Sequence, residues 1–427
     1  MIKKIGILSL VVATTLTASG WRIPEQSVNG TALAGAYVAN AHGADAAYYN
    51  PANMAFMDQG SYFEGSLTYI HLTAIDYDGV DSRSTTPTTP FSTSSKKENF
   101  VLPAFHYVGE AHGDYRFGIS FTLPGGLSKR WEDGSTSTLV SKEFTLEVFE
   151  LNPVMSYKVA ESFAIAAGLR LVYSKGTVKS SGTVVVGAPL TSDVSRDMEG
   201  DDIALGVNVA ASYKPMDNWT LSATYRSKID LEEKGTATLS STSVPGFPPS
   251  GLPAGSYSGD AGVTVPLPAI FALATAYTIN NTTVELEFDR TFWGDYNDLD
   301  FTYPAPFQVH PVLKSAFDDP KARNWNHANA YRIGVTHIFN KKWTGMLGYA
   351  YDETGAPTNT IGYELPDSDA NMYSFGARYN YNDQMSVGIA GLYNDKKEVT
   401  TSGDNEAQGT FSNAAAYLLT IGVGYKF

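Results

Sequence analysis

The 427-residue sequence predicts an all-β fold: a 14-stranded antiparallel transmembrane barrel of the outer membrane, with an N-terminal hatch plugging its lumen. Period-two alternation dominates the chain, its connections are short and long by turns, and its last strand alternates to the final residue. From Trp219 to Leu231, for example, Trp219, Leu221, Ala223, Tyr225, Ile229 and Leu231 share one parity, and Thr220, Ser222, Thr224, Arg226, Lys228 and Asp230 share the other. On a strand these are opposite faces.

The elements follow in order. Met1-Ile2-Lys3-Lys4, the apolar run Ile5 to Leu16 and the small residues Ala18-Ser19-Gly20 have the layout of a secretory signal peptide, assigned to 1–20. Its apolar run is shorter than the roughly 20 residues that a spanning helix needs. Residues 21–58 stand outside the strand pattern, and the stretch from Asn29 to Phe56 holds ten alanines and three glycines, which suits close packing in a narrow cylinder. The barrel is assigned to 59–427. Its strands are expected near 61–73, 99–108, 114–123, 145–158, 162–179, 202–214, 219–232, 262–278, 282–300, 328–339, 342–352, 370–381, 384–394 and 413–427. Connections after even-numbered strands are short and polar, and those after odd-numbered strands are long, the pattern of periplasmic turns and extracellular loops. Tyr69, Tyr107, Tyr115, Tyr213, Trp219, Tyr225, Trp343, Tyr379, Tyr381 and Tyr393 fall where interfacial aromatic girdles belong.

A closed sheet pairs every backbone N–H and C=O at membrane depth and leaves no edge. About eight strands already suffice for an interior that side chains fill, so fourteen leave a lumen that is either plugged or open. The segment 21–58 is the natural plug. A soluble sandwich would also alternate, but it would not sort its loops by length in this way.

The function classes narrow as well. A net charge of -14 argues against nucleic acid. There is no cysteine, and the seven histidines show no metal-ligand spacing, so no cofactor or metal is expected. No Gly-x-Ser-x-Gly or phosphate loop is present, and only His71 and His106, on neighbouring strands, offer a pair for a hydrolase. The protein is expected not to be an enzyme.

At Gly20 to Met54, "GWRIPEQSVNGTALAGAYVANAHGADAAYYNPANM", the sequence resembles the N-terminal hatch of the FadL/TodX family of outer-membrane transporters for long-chain fatty acids and aromatic hydrocarbons. The matching positions are Gly20-Trp21 with Glu25, Ser27 and Gly30, then Ala44-Asp45-Ala46, and Asn50-Pro51-Ala52. Thr224 to Gly235, Val265 to Tyr277, Tyr331 to Phe339 and Trp343 to Pro357 continue it. The resemblance implies passive uptake of hydrophobic small molecules, long-chain fatty acids first. Extracellular loops would capture the ligand, an internal site gated by the hatch would hold it, and it would leave sideways into outer-membrane lipid at an inward kink of the third strand. Neutral aromatic or aliphatic hydrocarbons, and a general aqueous porin, stay open as alternatives.

The candidate residues follow from that reading. Trp21, Glu25, Gly30, Asn50, Pro51 and Ala52 are the hatch and gating residues. Pro124-Gly125-Gly126, after the alternating Tyr115 to Leu123, marks either the kink or a plain strand end, since proline cannot donate to the ladder and glycine favours bends. Val185, Leu190, Val244, Phe247 and Leu252 in the loops 180–201 and 234–260 are capture candidates. Arg170, Arg226, Lys228, Arg332 and Arg378 are lumen cations for a carboxylate head group. Glu285, Glu287 and Asp289 on strand nine are their expected counter-charges, and Asp300 stands where some fatty acid transporters place a basic residue. The terminal Phe427 resembles the signal read by the outer-membrane insertion machinery, and the chain is expected to act as a monomer.

Overall fold

The computed structural model describes residues 20–81, 89–132, 137–304, 310–401 and 407–427. The expected signal peptide lies outside the described residues, apart from Gly20. Fourteen antiparallel strands close into a barrel: β1 Tyr62–Leu72, β2 Glu98–Val108, β3 Tyr115–Lys129, β4 Glu143–Ala160, β5 Phe163–Gly187, β6 Leu190–Met216 and β7 Trp219–Arg226 with Ile229–Ser241. They continue with β8 Gly255–Leu267 and Ala269–Ile279, β9 Thr282–Phe292, β10 Ala328–Ile338, β11 Trp343–Asp352, β12 Ala370–Asn380, β13 Met385–Lys396 and β14 Ala415–Lys426. Closure is made by β1 against β14, from Tyr62 opposite Lys426 to Leu72 opposite Ala416. Beyond it, the Phe427 N–H donates to the Ser61 carbonyl (2.9 Å).

Alternation sorts the side chains as expected. Leu67, Phe117, Leu169, Leu205, Leu286, Leu347, Phe375 and Ile421 point outward to lipid, with Tyr107, Tyr115, Tyr213, Trp343 and Tyr381 near the strand ends. Several boundaries differ from expectation, each for a physical reason. The strand-three segment does not end at Pro124: β3 runs on to Lys129 and stays paired with β4 across a bulge between Thr122 and Gly125. The stretch 180–201 is not a loop, because β5 and β6 extend as one hairpin that closes with Gly187 opposite Leu190. Val178, Val194 and Met198 of that hairpin are buried, but Ser180, Ser192 and Arg196 share their inward face, so the apolar–polar alternation that marks a membrane strand fades there in the sequence. Strand nine ends at Phe292, and Asp300 lies in the following loop.

On the long-loop side, the short strands Asp76–Asp81, Pro90–Ser94, Val399–Thr400 and Ala407–Ser412 form a second sheet. Tyr77, Phe411, Tyr363 and Trp131 pack as an aromatic cluster beneath it.

Candidate functional site

Residues 20–58 fold inside the barrel, and small residues on both sides let them fit. The helix Val28–Ala32 is capped by Ser27, whose Oγ accepts from the Gly30 N–H (3.1 Å). It lies on inward glycines of consecutive strands: a Cβ at Gly348 would stand 2.2 Å from the Leu33 carbonyl carbon, one at Gly376 2.5 Å from Ala32, and one at Gly388 or Gly422 2.8 Å from Val28. Within the segment, a Cβ on Gly30 would come 1.7 Å from the Tyr49 hydroxyl.

Asn50 caps the 3₁₀ turn Pro51–Phe56 by accepting from the Ala52 N–H (3.1 Å), with Pro51 at the first position where no N–H is needed. Its amide donates to the Val38 carbonyl (2.8 Å) and to Ser212 Oγ of β6 (2.9 Å), tying turn to wall. Ala52 packs against Ala166 and Ala210. Opposite, Glu287 Oε2 accepts from the N–H groups of Tyr37 and Val38 (both 3.1 Å), and Glu285 accepts from Ala39 (2.5 Å) and Asn40 (3.0 Å). These two acids therefore hold the plug's backbone rather than balance lumen arginines, which corrects the expectation; only Asp289 of the three meets a guanidinium. Glu25 is buried with neither carboxylate oxygen hydrogen-bonded, and burial pushes it up to about 7 against the pull of Arg332.

The bulge in β3 is where the plug and the wall join. The β2–β3 ladder covers only Phe105–Val108 against Gly118–Phe121, and the strands meet again where the Lys96 N–H donates to the Arg130 carbonyl (2.8 Å). Between those points no ladder joins the two strands among the described residues, and β3 from Thr122 to Lys129 turns wholly inward and buried. Its freed backbone is taken up by the plug. The Ile23 N–H donates to the Pro124 carbonyl (2.9 Å), the Gly126 N–H to the Trp21 carbonyl (2.7 Å), and the Gln26 side chain bonds both the N–H and the carbonyl of Leu123 (3.0 and 2.8 Å). Pro124, Gly125 and Gly126 thus sit at an inward bend bounding a window in the wall, not at a strand end.

Above the bend lies an apolar pocket of about 630 Å³ of atom-free space, its mouth included. Trp21, Leu127, Leu146, Val178, Val265 and Trp325 line it. Trp21 meets Trp293 and Tyr296 edge-on (4.5 and 5.3 Å between rings) and Trp325 at 5.8 Å. Sequence reasoning missed Trp293, Tyr296 and Trp325, which come from the loop after β9 and carry no periodic signal. The Arg323 guanidinium on the wall is paired with Glu364 (2.6 Å). A second, more polar pocket lies across the Trp21–Pro24 backbone, with Arg22, Arg170, Arg226, Glu287 and Asp289 on its walls.

The lumen cations fare unevenly. Arg170 pairs with Glu150 (2.8 Å), as does Arg226; Arg332 pairs with Asp289 (3.0 Å) and Arg378 with Glu64 (2.7 Å). Lys228 is not grouped with them: it lies at the break in β7, a third exposed, and pairs with the exposed Asp230 and Asp295. Lys129, which sequence reasoning passed over, is buried on the bent segment of β3 with no hydrogen bond to its Nζ. Of the capture candidates, Val244 is buried and bridges to Leu252, and Leu190 lies 3.0 Å from where a Gly246 Cβ would stand. Phe247 is half-buried, and Val185 faces outward on β5. His106 is inward with Nε2 on the Gln26 carbonyl, while His71 faces outward against Asn99, so the two histidines share no site.

A family model described as outer membrane protein transport protein (OMPP1/FadL/TodX) matches residues 9–427. The chain belongs to this family. It is an outer-membrane transport protein of the FadL/TodX type, as its expected family and localisation required. The long-chain fatty acid transport protein of Escherichia coli K12 is 23% identical, over 99% of this chain and 98% of its own length. Outer membrane protein P1 of Haemophilus influenzae is 24% identical, over 98% and 97%. Among solved structures, a Pseudomonas aeruginosa FadL homologue matches with a TM-score of 0.80 at 20% identity, over 96% of this chain and all of that one. The P. putida toluene transporter TodX matches at 0.70 and 19%, over 94% and 98%. These likenesses establish the barrel fold.

Proposed function

We propose that this protein takes up neutral hydrophobic small molecules passively, holding them in the apolar pocket beside Trp21 and releasing them sideways into lipid through the window between β2 and β3. The single observation that carries the reading is the β3 bend, which opens the wall beside the pocket while the plug's own backbone satisfies the strand's unpaired groups. Sideways release keeps an apolar solute out of water, which would otherwise cost ~0.8 kcal/mol per exposed CH₂. Relatives named for fatty acid and for toluene transport agree with a hydrophobic cargo. The tip of the β5–β6 hairpin at Leu190 and the loop that holds Val244 and Leu252 serve as the capture surface, and residues 20–58 act as the hatch.

The register test is direct. β3 holds one residue more than β4 across the bulge, since Thr122 faces Glu150 while Gly125 faces Val148. Deleting Pro124 removes that residue and lets β3 straighten against β2. Cells carrying the deletion should lose uptake of a labelled alkylbenzene by about tenfold or more while the barrel still folds; unchanged uptake would end the lateral-exit reading. A second reading rests on two cationic atoms without hydrogen bonds, Arg226 Nη1 and Lys129 Nζ, which would suit the carboxylate of a fatty acid. Labelled oleate in the same assay separates the two: loss of oleate uptake in Lys129→Met with alkylbenzene uptake intact would favour it.

A further inference from the structure

We infer that Glu233 is a specificity residue, selecting apolar molecules that end in a hydroxyl, an alcohol or a phenol, over those that end in a carboxylate. The inference rests on the apolar pocket being the substrate site and names the head group that site accepts. Five inward positions of β7 are Ile229, Leu231, Glu233, Ala237 and Leu239, a buried row in which the lone carboxylate stands among aliphatic groups. Glu233 is 2% exposed and lines the pocket. Neither of its oxygens makes a hydrogen bond. The Ser174 hydroxyl and the Gly176 N–H face it across the wall, yet no bond to either closes.

A row of glycines runs across the wall beside this side chain. Gly176 of β5, Gly200 of β6 and Gly235 of β7 lie in one row across three strands, Gly176 opposite Gly200 and Gly200 opposite Gly235. A Cβ on Gly176 would sit 3.7 Å from Glu233 Cγ and 3.9 Å from its carboxyl carbon. Gly176 therefore lies within contact distance of the acid, and the polar groups nearest the Glu233 carboxylate are the Ser174 hydroxyl and the Gly176 N–H.

A buried acceptor without a donor is costly to leave unmade, and a ligand that supplies the donor recovers that cost. A hydroxyl does so, and it can also accept from Ser174 or Gly176. An ionised carboxylate supplies no donor and meets Glu233 together with the negative potential of Asp201 and Asp202 nearby. The pocket's own cation offers such a ligand little, because Arg323 is held by Glu364.

Isothermal titration of the full chain in detergent micelles at pH 8, with 1-decanol and with decanoate, tests this. The wild-type protein should bind decanol about tenfold or more tightly than decanoate, the span expected of one charge-assisted hydrogen bond. Glu233→Gln should raise decanoate affinity and close most of that gap, with decanol kept within about threefold; Glu233→Leu should weaken decanol by about tenfold. Decanoate binding as tightly as decanol to the wild-type protein would overturn the inference and leave the transport reading standing, as would a preference that neither variant changes. No binding of decanol, decanoate or an alkylbenzene to a folded barrel would overturn both.

Discussion

The two halves of the lumen are built from opposite materials. On the periplasmic side the plug meets the wall through glycine, alanine and backbone amides. Gly348, Gly376, Gly388 and Gly422 receive the helix, while Glu285 and Glu287 receive four consecutive N–H groups. On the extracellular side, Trp21, Trp293, Tyr296 and Trp325 meet at angles and leave a pocket. Small residues bring backbones close enough to hydrogen-bond and exclude space; large rings touch at edges and enclose it. One chain segment spans both, so sealing and binding are physically separable. Variants below should open the barrel, and variants above should alter affinity alone.

The largest effect should come from removing the plug's acceptors. Glu285→Leu with Glu287→Leu strands four buried N–H groups, each worth roughly 1–3 kcal/mol unpaired, or about 4 kcal/mol at least for the plug. A silent barrel should gain steady conductance in planar bilayers while its thermal unfolding changes little; continued silence would place the seal elsewhere.

A smaller effect of the same kind should follow pH. Glu25 is raised from its ordinary 4.5 to about 7 by burial, so the seated plug holds a proton that the released plug gives up. Between those values the seated state binds more protons, and its stability falls as pH rises, levelling off above about 7. The full span corresponds to about 3 kcal/mol, at 1.36 per unit. Asp45, on the same segment and likewise raised to about 7 by burial and Glu64, adds in the same direction. Conductance events should therefore grow from pH 5 to pH 8 and grow less in Glu25→Gln; a flat profile in the wild-type protein would remove Glu25 from the seal.

The same division explains what the sequence disclosed. The barrel was legible because lipid on one face and lumen on the other impose period two on all fourteen strands. The plug was legible because close packing demands the alanines and glycines of 29–56, and because Asn50-Pro51 is a local capping device. The binding half was not. Trp325 and Tyr296 come from a long loop whose course no short-range pattern dictates. Glu233 falls just past residue 232, where strand seven was expected to end and a long loop to begin, because beyond the membrane nothing enforces the apolar–polar alternation. Inward arginines were visible by parity, but whether a guanidinium is already paired depends on neighbours such as Glu150 and Glu64 on other strands. Parity gives direction, and only the folded sheet gives partners.

The smallest effect isolates the upper half. Val265 is buried on the pocket wall and touches no hydrogen bond of the plug. Val265→Ala removes two carbons from the lining, and at ~0.8 kcal/mol per CH₂ the ligand loses about 1.5 kcal/mol of apolar contact. Affinity for an alkylbenzene should fall roughly tenfold by titration. Conductance should stay silent, because no small-residue contact or N–H acceptor of the periplasmic half has changed. If the variant leaked as well, the aromatic half would be bearing part of the seal, and the separation of binding above from closure below would fail at the one residue chosen to test it most gently.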